Sequence, residues 1–93
     1  MRDYRPEDFA DAVGGDFIVA GTDPALVLTL DAVKPLAQSL RAGGGFSLDF
    51  TGPCDPVIPQ GTLGLRLGDV EHVIFVVAVA RDDAGVRYQA VFN

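Results

Sequence analysis

The chain contains no tryptophan, one cysteine, one histidine and one methionine in 93 residues, and seven lysines and arginines against thirteen aspartates and glutamates. Each scarcity removes a class of function. Cys54 alone cannot form an internal disulfide, so the fold is not a stapled secreted scaffold. The basic residues are scattered singly through a chain of net charge −6, so no cationic stripe exists to track phosphates, and nucleic acid is excluded as a partner. The same charge balance disfavours an anionic membrane surface. The longest apolar run, Val73 to Ala80, is well short of the ~20 residues of a membrane-spanning helix, and no basic segment followed by an apolar one reads as a signal peptide. The expectation is a soluble, cytoplasmic protein, with export by a route that needs no signal peptide left open.

What is present is apolar material: 48% hydrophobic residues, with six phenylalanines and two tyrosines as the aromatic content. That is enough to offset chain entropy in a single domain spanning 1–93, and too short a chain for two domains. A short helix is expected over 5–13. Pro6 suits the first helical position, Glu7 and Asp8 suit its positive end, and Gly14-Gly15 provide a stop. Tyr4 and Phe9 stand at the two positions of a hydrophobic staple. So short a helix is marginal alone and must pack on a sheet or plug one end of a barrel.

From Asp16 onward the period becomes two. Phe17 to Ala20 reads as a strand, and Leu26, Leu28 and Leu30 form the inward side of a second. Val33 to Gly45 is expected to be a strand end followed by a mobile loop or a single helical turn. Phe46, Leu48 and Phe50 share one face of a third strand, with Ser47, Asp49 and Thr51 on a wet face. Pro53, Pro56 and Pro59 then remove three amide donors and hold the connection to the next strand extended. Thr62 to Leu67 alternates again, Gly68-Asp69 reverses the chain, and Val70 to Arg81 forms the longest strand. Its centre is apolar on both faces, which predicts cover on both. Asp82 to Gly85 reads as a four-residue hairpin loop before a last strand, Val86 to Asn93. Six short strands with regular turn signals predict a mainly β fold, a small antiparallel six-stranded barrel or sandwich with one short N-terminal helix.

No catalytic constellation emerges. His72 lacks triad partners, and Glu71 beside it points to the opposite strand face, so an exposed or edge histidine is the better reading. Cys54 has no neighbouring base in sequence to activate its thiol. The aspartates lack calcium-loop spacing, and Gly43-Gly44-Gly45 precedes a strand rather than a helix, so neither a metal nor a phosphate-bearing cofactor is expected. The candidate contact loop is Pro53, Cys54, Asp55, Pro56, Pro59 and Gln60, first a stiff connector and second an exposed surface.

Phe46-Ser47-Leu48 with Phe50 and Gly52-Pro53, then Pro59-Gln60-Gly61-Thr62, then Gly85, Tyr88 and Ala90-Val91-Phe92-Asn93, resemble a family of small bacterial proteins catalogued only as a domain of unknown function. Phe9 and Val13-Gly14 join the resemblance, which covers most of the chain. The sequence departs from the family pattern over 36–45 and at Leu63-Gly64, where an aromatic residue is expected. Members resemble single-domain proteins often encoded near phage tail collar or microcystin-dependent-type proteins, and the resemblance implies no catalytic residue.

The function expected is non-enzymatic: a protein-interaction domain, as an accessory or assembly component of tail-collar-like fibre proteins. The alternative is a small-ligand-binding or hydrolytic barrel using His72 or Cys54. Homo-oligomerisation is a further expectation, with the C-terminal strand pairing across a two-fold axis if it lies at an edge.

Overall fold

The computed structural model describes residues 7–22, 24–36, 45–55 and 57–92. It comprises one short helix, α1 (Glu7–Ala10), and six strands: β1 (Asp16–Val19), β2 (Val27–Leu36), β3 (Gly45–Gly52), β4 (Gly61–Leu67), β5 (Val70–Asp82) and β6 (Gly85–Phe92). All neighbouring strands are antiparallel, and the sheet closes on itself in the order β1-β2-β3-β6-β5-β4. Closure rests on a short ladder in which Ile18 and Val19 of β1 face Arg66 and Leu65 of β4. A closed ring hides strand edges that an open six-stranded sheet would expose.

The expected alternation places the core. Phe17, Leu28, Leu30, Phe46, Leu48, Phe50, Leu65, Ile74, Val76, Val86, Tyr88 and Ala90 are all buried, with Leu26, Leu63 and Leu67 packed against them from the margins. Ser47 departs from its expected wet side and is buried, flanked in register by Lys34 and Val91.

The ends of the barrel are closed by different means. At the end formed by the starts of β3 and β5 and the finish of β6, α1 inserts Phe9, which is fully buried. Its ring lies 6.2 Å from Phe46, 6.3 Å from Phe92 and 5.2 Å from His72. Phe46 and Phe92 stack on each other at 4.5 Å. Hydrogen bonds from Gly14 to the Leu30 carbonyl and from Leu30 to the Gly15 carbonyl tie the helix exit to β2. The helix is shorter than the 5–13 expected: after Ala10 the chain turns, with Ala12 and Gly15 making turn hydrogen bonds. Pro6 and the Tyr4 half of the staple lie outside the described residues.

At the other end the connection from β3 to β4 crosses the mouth. These strands stand three places apart in the ring, so residues 53–60 must span the barrel. Ile58 drops into the opening and is buried, and its amide donates to the Tyr88 hydroxyl at 2.8 Å.

Register extends one sequence expectation and corrects another. The strand end expected from Val33 runs through Pro35 to Leu36, paired with β3 as far as Gly45. Proline is tolerated there because the β1 ladder on the other side of β2 stops at Thr29, so a missing amide donor breaks no second ladder. The remainder of that uncertain stretch, residues 37–44, lies outside the described residues. The β5–β6 turn is also tighter than expected, since the strands extend to Asp82 and from Gly85, leaving only Asp83 and Ala84 between them.

Candidate contact surfaces

Four places carry the residues that sequence reasoning singled out or passed over: the loop across the upper mouth, His72 in the lower plug, the outer face of β5, and a polar groove beside it.

In the mouth loop, Pro53, Asp55, Pro59 and Gln60 are exposed and Cys54 is half-buried; Pro56 is outside the described residues. The Cys54 thiol points at the β5–β6 turn, with its Sγ 3.4 Å from the Asp82 carbonyl oxygen, a weak S–H contact. The turn is itself fixed by Asp82. Its carboxylate accepts the Ala84 amide at 2.8 Å and the Arg87 Nε at 3.3 Å. The Ala84 hydrogen bond first, and Arg87 after it, hold the Asp82 carboxyl below its ordinary range. The loop is therefore a braced surface, anchored by Ile58 on Tyr88 and leaning on the neighbouring turn. Sequence reasoning missed both anchors. The available signals were the aliphatic pair Val57-Ile58 among prolines, and an inward-facing tyrosine whose hydroxyl needs a partner.

His72 corrects the expectation of an exposed or edge residue: it is 8% exposed. Leu65 is its register partner on β4, and its ring packs 5.2 Å from Phe9 and 6.1 Å from Phe17. Period two on β5 makes the assignment, since His72, Ile74 and Val76 point inward while Glu71, Val73 and Phe75 point out. His72 sits at the α1 end of the barrel and Cys54 at the other. The two residues of the hydrolytic alternative do not come together as nucleophile and base.

The outer face of β5 overturns the prediction of cover on both sides. Val73, Phe75 and Val79 are 58%, 54% and 56% exposed, and Val91 on β6 is 50% exposed. Thr62 and Gly64 of β4 stand opposite Phe75 and Val73, and Gln89 of β6 stands opposite Val77. Small and polar neighbours leave the stripe standing proud, with Arg66 on β4 and Arg87 on β6 to either side. Half-exposed, one phenylalanine and three valines together present roughly 300 Å² of apolar surface on the outer side of β5 and β6.

Beside it, a concavity of ≈ 370 Å³ is lined by Asp31, Lys34, Asp49, Val79, Arg87 and Gln89, among others. Register shifts between Leu30 and Ala32 on β2 and between Ala78 and Ala80 on β5 border it, as bulges bend strands away from one another. Its charges are matched internally: Lys34 bonds Asp49 at 2.9 Å, and the Thr51 hydroxyl donates to Asp31. Among the described residues no cluster of His, Cys, Asp and Glu has the makings of a metal site, and no helix is long and apolar enough to cross a membrane.

A family model spans residues 4–92, taking in α1, all six strands and the mouth loop. The chain belongs to the family described as Domain of unknown function (DUF6916). The match runs from the helix that plugs one end of the barrel to the strand that carries Tyr88, so the closed ring and both of its plugs fall inside the DUF6916 region. No curated protein and no solved structure matches the chain.

Proposed function

We propose that this DUF6916 chain is a non-enzymatic protein-contact domain whose binding surface is the outer face of β5. The observation that carries this reading is the exposure of Phe75 at the centre of an apolar stripe on an otherwise alternating barrel. An aromatic residue on a rigid strand, ringed by small and polar groups, has the anatomy of an interface anchor. The interior supports the same reading from the other side, since Phe9, Phe17, Phe50, Ile58 and Tyr88 fill the positions where a ligand-binding barrel keeps its cavity. The mouth loop from Pro53 to Gln60 is a second, smaller contact surface, stiff enough to bind at low entropic cost.

The partner class implied by the resemblance is a tail-collar-like fibre protein, with this chain as an accessory or assembly component. Co-expression with such a protein followed by affinity capture tests the reading. Capture by the parent chain and its loss in Phe75→Asp supports it. Equal capture by both removes the β5 face as the site.

A further inference from the structure

Arg66 on β4 and Glu71 on β5 are register partners of opposite charge, yet they do not close on each other as Lys34 does on Asp49 at 2.9 Å and Arg87 on Asp82 at 3.3 Å. Among the described residues neither makes an ion pair or a side-chain hydrogen bond. The reason lies one outward position further along β4. Gly64 has no side chain on the outer face, and the Glu71 carboxyl leans over it: a Cβ at Gly64 would meet Glu71 Oε1 at 3.0 Å and the Ala20 Cβ at 3.1 Å. The carboxylate therefore rests over β4, toward β1, instead of on the guanidinium.

Both charges border one concavity of ≈ 280 Å³, whose lining also includes Ile18, Ala20, Thr22 and Ala25. It straddles the seam at which the ring closes, where Ile18 and Val19 face Arg66 and Leu65 and the Ala20 amide donates to the Gly64 carbonyl at 2.8 Å. Its rim is held in shape, because Thr22 Oγ1 donates to the Val19 carbonyl at 2.8 Å and accepts the Leu26 amide at 2.9 Å. The groove lined by Lys34 and Asp49 spends its charges internally, whereas this one keeps a cation, an anion and a short apolar wall for a ligand. A guanidinium presents parallel N–H donors that fit a carboxylate, and a carboxylate accepts from an ammonium. The volume stands just under the roughly 300–1,000 Å³ of small-molecule sites, so the occupant must be small.

We propose that this concavity binds a small zwitterion, an α-amino acid with a short aliphatic side chain, its carboxylate on Arg66, its ammonium on Glu71 and its side chain against Ile18 and Ala25. A molecule with one charge alone satisfies only one of the two partners. The site uses neither Phe75 nor the mouth loop, so it stands or falls apart from the reading of the β5 face.

Titration of the isotope-labelled chain with L-valine, followed through the amide chemical shifts, tests it. Exposed ion pairs contribute little each, so a dissociation constant of about 1–10 mM is expected, with saturable shifts at Ala20, Gly21, Thr22, Arg66 and Glu71. N-acetyl-L-valine lacks the ammonium and L-valinamide lacks the carboxylate, and each should bind about 3- to 5-fold more weakly. Two exposed-site variants assign the charges, their unchanged spectra elsewhere showing that they are folded. Glu71→Gln should bind L-valine no better than it binds N-acetyl-L-valine, and Arg66→Gln no better than it binds L-valinamide. Phe75→Asp should bind L-valine as the parent does. Shifts that do not saturate by about 100 mM L-valine, equal affinity of the parent for the three compounds, or variants that keep the parent's discrimination would each overturn the proposal.

Discussion

A methyl group at Gly85 would stand 2.1 Å from the Gly52 carbonyl oxygen, and the residue adopts φ +139°. Both facts act in the same direction, because the clash is with backbone and the conformation is one that side chains resist. Gly85→Ala should cost about 3 kcal/mol or more, a large share of the roughly 5–14 kcal/mol that a chain of this length commands; the urea midpoint measures it. Tyr88→Phe isolates a different contribution. It removes the acceptor of the buried Ile58 amide, at an expected cost of about 1–3 kcal/mol, and should speed hydrogen exchange at Ile58 while strand amides stay protected. Asp82 supplies the pH dependence. Its folded-state pKa is depressed, by the Ala84 amide first and by Arg87 after it, so its contribution is present above the ordinary carboxylate pKa and is lost as pH falls through the lower folded value. Acid titration followed by circular dichroism should show that Asp82→Asn lessens the loss of stability below about pH 4. Of these three positions, Gly85 was legible in the sequence as a turn glycine. The pairings of Tyr88 with Ile58 and of Asp82 with Arg87 join residues whose proximity the fold creates.

The elements differ in how far their own sequence accounts for them. β3 was readable almost to the residue, because Phe46, Leu48 and Phe50 alternate with shorter polar side chains and Gly52-Pro53 closes the run. β5 was readable in extent but not in orientation. With Val73, Phe75, Val77 and Val79 as apolar as Ile74 and Val76, period two is invisible to hydropathy, and only the register with β4 and β6 shows which set is wet. His72 was misplaced for that reason. α1 is at the other extreme. A single helical turn has no stability of its own and persists because Phe9 fills the barrel end between Phe46, Phe92 and His72. Phe9→Ala should therefore cost about 3–5 kcal/mol, and α1 should lose its signals while strand pairing remains; heteronuclear spectra of the folded variant check both.

For the molecule as a whole, closure of the ring is the decisive event. It leaves β6 paired on both sides over Val86–Gln89. Phe75→Asp should change folding stability by no more than about 0.5 kcal/mol, read from the same urea titration, while removing partner capture, which is the behaviour of a residue that serves contact and not the core. By itself the sequence determined the β class, the number of strands and most turn positions, because alternation, glycine and proline act within a few residues of chain. Strand order, the plugging of the two mouths by Phe9 and Ile58, and the outward turn of the β5 stripe were decided by tertiary structure. They depend on which distant segments share hydrogen bonds, and a ring of six strands has room for only one side of β5 inside.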